Sequence, residues 1–156
     1  MAAQLTYGFS TPKGLAGGKV DLADDVVASR TVEAADGVLK FGMAVAVGDN
    51  AGDGIKAVSE GITKDKIDGV LLHAANTEQD MSGKVVIKNG TTQSVMKKGH
   101  VWGRLATGAE ATYKAAAYVV ASGEDAGCFT NVADGNIDIG AVFGNATDTG
   151  IAVIEL

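Results

Sequence analysis

The sequence predicts a mainly β protein: a compact barrel- or sandwich-like domain of short strands carrying an extended N-terminal arm. Three observations lead there. Apolar residues alternate with a period of two in several short runs, the spacing that places side chains on opposite faces of a strand. Turn chemistry separates these runs at intervals of roughly ten residues. Glycine is abundant, 22 of 156 residues, whereas proline occurs once, a balance that suits tight turns and bulges rather than collagen-like or linker sequence.

In chain order, residues 1–37 read as an irregular arm and residues 38–156 as the β domain. The arm contains Tyr7–Val20 (YGFSTPKGLAGGKV) and the mixed stretch Leu22–Arg30. Its aromatic and β-branched residues distinguish it from a plain linker and suit a segment that orders against a partner. Phe41, Met43, Val45 and Val47 then mark the first strand, ended by the turn sequence Asp49–Gly54. Val70–His73 and Lys84–Lys88 are further strands. Asn89-Gly90 predicts a hairpin whose return strand is Thr91–Met96. His100–Leu105 alternates again. Ala-rich Glu110–Ala121 reads as a short turn or helical piece leading into a strand. Cys128–Val132 is a short strand, and Ile137, Ile139, Ala141 and Phe143 form one face of another. The closing Gly150–Leu156 (GIAVIEL) is apolar on both faces, which predicts a central position in a sheet.

Composition narrows the function. The net charge is −6 and only two arginines are present, which argues against phosphate-backbone binding. No nucleic-acid partner is expected. The longest wholly apolar run, Ala115–Ala121, is too short to span a bilayer, and the N-terminus lacks the pattern of a signal peptide, so no membrane partner is expected. A single cysteine, Cys128, forms no intrachain disulfide and reads as a small buried hydrophobe in a reducing compartment.

Motifs that carry chemistry fail in detail. Gly14–Lys19 (GLAGGK) has the wrong register for a phosphate loop and no hydroxyl residue after its lysine. Asp49–Glu60 places Asp49, Asp53, Gly54 and Glu60 in the frame of a calcium loop, but Ala51 removes one ligand and strands flank it, so it reads as a connecting turn. His73 and His100 lack partners at metal-ligand spacing. Nothing local supports a nucleophilic set of Cys128, His100 and an aspartate. Lys97, Lys98, His100 and Arg104, with Trp102 among them, form a basic cluster that reads as a strand face or a contact to an acidic protein. The chain is expected to be no enzyme and to need no cofactor or metal.

The order of several short motifs resembles the cement, or decoration, proteins of tailed bacteriophages. They are GLAGG (Gly14–Gly18), KVDL (Lys19–Leu22), DVVASR (Asp25–Arg30), Phe41-Gly42, DGVLL (Asp68–Leu72), MSGKVVI (Met81–Ile87), SVMKKGHVW (Ser94–Trp102) and the closing GIAVIEL. The resemblance implies a structural virion protein bound to the outer surface of an assembled capsid, made in the host cytoplasm. Its implied partner is the major capsid protein, and its implied state a homo-oligomer, with a trimer favoured and a dimer possible. Arm residues Tyr7, Phe9, Leu15, Lys19 and Arg30 are the expected capsid contacts. The alternatives are a head–tail joining or tail-tube protein, or a small ligand- or carbohydrate-binding β domain. The last is disfavoured by thinly spread aromatics.

Overall fold

A computed structural model describes residues 13–75 and 78–156. It contains twelve strands: β1 (Val26–Val32), β2 (Ala44–Val47), β3 (Gly54–Ala57), β4 (Ile67–Leu71), β5 (Glu78–Gln79), β6 (Val85–Val86), β7 (Thr92–Lys98), β8 (His100–Arg104), β9 (Ala116–Val119), β10 (Phe129–Thr130), β11 (Ile137–Asp148) and β12 (Ile151–Glu155). A single 3-10 turn, Lys64–Lys66, precedes β4. Five strands close a barrel in the order β1-β3-β2-β4-β7, and five more form a sheet in the order β10-β9-β11-β12-β8. β5 and β6 make a separate two-stranded ribbon.

Period-two alternation explains how the barrel and sheet share one body. In β2, β4 and β7, successive residues enter different cores. Val45, Leu71 and Val95 fill the barrel with Val32, Leu39, Phe41, Ile55 and Ile87. Their neighbours Ala44, Val70 and Met96 face outward and pack on Val101, Val119, Phe129, Phe143 and Ile154 of the sheet. These barrel strands are therefore apolar on both faces. A third cluster, Trp102, Ile151 and Val153, lies on the other side of the sheet under Ala16 and Val20. The mainly β expectation holds. So does the interior place of the closing segment, since β12 is paired on both sides, with β11 and β8. Glu110–Ala121 resolves as a turn before β9, without a helix.

Two expectations need correction. The arm was expected to run to residue 37, but Val26–Val32 is barrel strand β1. It pairs antiparallel with β7 and parallel with β3. Both partners lie far along the chain, so local sequence gave no sign of them. The Asn89-Gly90 hairpin is likewise replaced. A turn does form, with the Thr91 N–H donating to the Lys88 carbonyl. However, β6 pairs with β5, and the strand after the turn, β7, pairs with β1 and β4. The turn residues fit their local geometry, but barrel closure chose the partners.

Glycine closes the barrel where side chains cannot fit. Gly69 in β4 has φ +155°, and a Cβ there would lie 2.2 Å from the Met96 carbonyl oxygen. The adjacent β2–β4 register shifts between Val45 and Ala46, consistent with a bulge that bends the wall.

Candidate functional site

The nominated residues that the structure describes lie on or beside a strap of residues 13–25. The strap runs along β8, which would otherwise be an open sheet edge. Lys19 forms an antiparallel bridge with Val101. The Gly17 N–H donates to the Trp102 carbonyl at 2.7 Å, the Trp102 N–H to the Gly18 carbonyl at 2.9 Å, and the Val20 N–H to the His100 carbonyl at 3.1 Å. Gly17 also reaches the barrel, because its carbonyl accepts the His73 N–H at 2.8 Å. One residue thus ties both halves of the fold together.

The glycines of GLAGG are explained by this docking. Gly14 lies against the indole of Trp102, where a Cβ would come within 2.2 Å of ring carbons. Gly17, at φ +77°, is enclosed by backbone atoms of Leu71, His73 and Gly42. Trp102 is left 6% exposed. The segment that resembled a phosphate loop is a close-approach sequence whose ligand is the protein's own β8.

Carboxylates pin the strap at two points. Asp148 Oδ2 accepts the Lys13 N–H at 2.8 Å. Asp21 Oδ2 lies 2.6 Å from His100 Nδ1. The hydrogen bond with His100 holds the Asp21 carboxyl below its usual range, and backbone donors at Thr149 and Lys13 do the same for Asp148. Lys19 pairs with Asp25 within the strap. Beneath its end, Asp68 accepts Arg30 Nε at 2.8 Å and Lys97 Nζ at 2.9 Å, and its side chain is 9% exposed. Burial opposes ionisation of Asp68, but hydrogen bonds from Arg30 and Lys97 outweigh it and lower its pKa.

The sign of the pH effect follows. A carboxyl with a depressed native pKa contributes stability above its unfolded value, near 4, and loses it as pH falls through the native value. Acidification below pH 4 is expected to loosen the strap, read as a red shift of Trp102 emission before global unfolding. Trp102 is the only tryptophan, so the signal is unambiguous. Emission that stays unchanged until the β signal is lost in circular dichroism would contradict this.

Three of the five nominated contacts fall among the described residues. Leu15 is 56% exposed on the strap. Lys19 is engaged with Asp25, and Arg30 is turned to Asp68. Tyr7 and Phe9 lie outside the described residues. The sequence reading did not name as contacts Leu22, 95% exposed, or the exposed Val26 and Val27 at the start of β1. Their neighbouring aspartates hid them as an ordinary mixed segment. The basic cluster is dispersed: Lys97 pairs with Asp68, His100 with Asp21, Arg104 Nε donates to the Phe41 carbonyl, and Trp102 is covered. Nothing remains of a base-stacking platform there.

The other candidates have structural roles. At Asp49–Asn50, both backbone N–H groups donate to the Glu33 carboxylate. Asp49 itself pairs with Lys56. Among the described residues, no group of three or more His, Cys, Asp or Glu side chains is arranged to hold a metal. Cys128 is buried, and burial followed by the nearby Asp125 charge raises its thiol pKa, the opposite of an activated nucleophile.

Residues 3–156 match the family model described as structural cement protein (E217 gp24/Pam3 gp6). The chain belongs to the phage structural cement protein family. This cement protein is thus a structural component of phage capsids and not an enzyme. Its fold is shared by a chain in the solved capsid of Myoviridae phage XM1, with a TM-score of 0.78 at 16% identity, covering 99% of this chain and 97% of that one. No match is found among curated protein sequences.

Proposed function

We propose that this cement protein binds the outer face of the assembled capsid and stabilises contacts between neighbouring major capsid protein subunits. The strap, with the residues that precede it, is the grip, and the barrel and sheet are the rigid body behind it. Family membership across residues 3–156 carries the reading. The exposure of Leu15, Leu22, Val26 and Val27 supports it, because these apolar side chains are carried on backbone already fixed in place. Such a surface binds without a large ordering cost. Lys19 pairs with Asp25 on the same strap, and Arg30 on β1 pairs with Asp68. A homo-oligomer, with a trimer favoured over a dimer, would repeat these exposed residues around a symmetry axis and raise effective affinity.

A protein that binds the lattice but not free subunits stabilises the lattice by linkage, by about 2.7 kcal/mol per site at a free concentration of one hundred times Kd. Purified protein added to undecorated, expanded capsids is expected to appear as ordered external density by cryo-electron microscopy and to raise the capsid melting temperature. Absence of binding, with assembly into tubes or rings instead, would refute the proposal.

A further inference from the structure

A second surface lies between the β5–β6 ribbon and residues 37–41. It is a cleft of about 570 Å³ whose accessible apolar lining is Val85 and Val86, beside the buried Leu39, Phe41 and Ile87, with Lys40, Lys84 and Arg104 around them. Lys40 and Lys84 are exposed and Arg104 is half-buried. Among the described residues none of the three forms an ion pair, and Arg104 Nε is held by the Phe41 carbonyl at 2.7 Å. Asp80 also lines the cleft, but its Oδ1 already accepts the Ser82 N–H, the Ser82 hydroxyl and the Lys84 N–H. In a chain of net charge −6 with thirteen basic side chains, the three cations Lys40, Lys84 and Arg104 outnumber the one carboxylate that lines the cleft, Asp80, which lies near Lys84, and leave it with a local excess of positive charge.

We propose that this cleft docks an extended segment of the capsid protein in which a large apolar side chain is flanked by carboxylates. The apolar side chain would rest on Val85 and Val86, and the carboxylates would meet Lys40, Lys84 and Arg104. Complementary charge selects the partner, and the apolar contact supplies an anchor. The inference rests on the capsid-binding reading and adds a second contact, with its own chemistry, to the strap.

The test has two arms. In the first, isotope-labelled protein is titrated with a capped Asp-Leu-Glu-Phe peptide and its amide counterpart Asn-Leu-Gln-Phe. Shifts at the Gly37, Val85 and Ile87 amides with the acidic peptide, at least about tenfold weaker with the amide one, are expected. Equal or absent response would overturn the inference, whatever the protein does on capsids. In the second, Lys40→Glu/Lys84→Glu is compared with wild type on expanded capsids. Both positions are exposed, and an unchanged melting temperature checks the fold. A loss of capsid affinity of at least about tenfold is expected, with Lys40→Gln/Lys84→Gln intermediate. If wild type binds and the charge-reversed variant binds equally, the cleft inference fails while the capsid-binding reading stands. If wild type does not bind, that reading fails and takes the capsid segment with it. If the variant instead changes only self-association, the occupant is a second copy of this chain and the proposal is overturned.

Discussion

Gly69→Ala is expected to destabilise the protein by about 3–5 kcal/mol, the range reached when a core position is overpacked and the backbone is strained together. The added methyl would meet the Met96 carbonyl oxygen at 2.2 Å, as well as Cγ1 of Val95. The obstacle is backbone in a paired strand, so a rotamer change gives no relief. Relieving the clash would separate β4 from β7 and open the barrel. For a domain of this size the melting temperature should fall by roughly 10 °C. Gly52→Ala is the control: Gly52 also has positive φ, at +90°, but nothing lies within 4 Å of its added Cβ. It should cost about 1 kcal/mol through backbone strain alone. Equal losses from the two variants would show that close strand approach is not what Gly69 serves.

Gly17→Ala is expected to fail differently, by releasing the strap instead of unfolding the body. Its Cβ would lie 2.7 Å from the His73 nitrogen and 2.8 Å from the Leu71 carbonyl oxygen, with φ already at +77°. Unlike β4, the strap can leave, so the cost is capped at its own docking energy, about 2–3 kcal/mol for several hydrogen bonds and the cover over Trp102. Trp102 emission should shift to the red and amide exchange should accelerate along β8, while barrel amides stay protected. Capsid affinity should fall with strap release, because the exposed Leu15 and Leu22 of the strap would then have to be ordered on binding. Buried tryptophan emission together with undiminished capsid binding would refute both the docking role and the grip.

These two glycines also mark where sequence reading stopped. The strands themselves were legible: the faces of β11 follow Ile137, Asp138 and Ala141 as alternation predicts, and the two-sided apolarity of residues 151–155 placed β12 between neighbours. Pairing was not legible. Val26–Val32 looked like arm because nothing nearby pairs with it, and Asn89-Gly90 looked like a hairpin because the turn is locally sound. In GLAGG the glycine spacing was visible, but the surface demanding it, Trp102 and the Leu71–His73 backbone, lies far along the chain. Of the exposed apolar residues in the proposed grip, Leu15 was named from the sequence. Leu22, Val26 and Val27 were not, since exposure is a property of the assembled barrel. Arg30 looked like an available cation, and only the fold brings Asp68 to it.

Barrel closure also sets an order of events during synthesis. β1 emerges from the ribosome first among the strands, yet its Val27 pairs with Met96 of β7. Until β7 has been made, β1 has no antiparallel partner, and its apolar edge is open to other chains. Long-range pairing of this kind is slow and leaves nascent sheets prone to association. A virion protein made in many copies at once meets that hazard at its worst. Charges that flank apolar strand segments oppose such association, and Asp24, Asp25 and Arg30 flank Val26 and Val27 in this way.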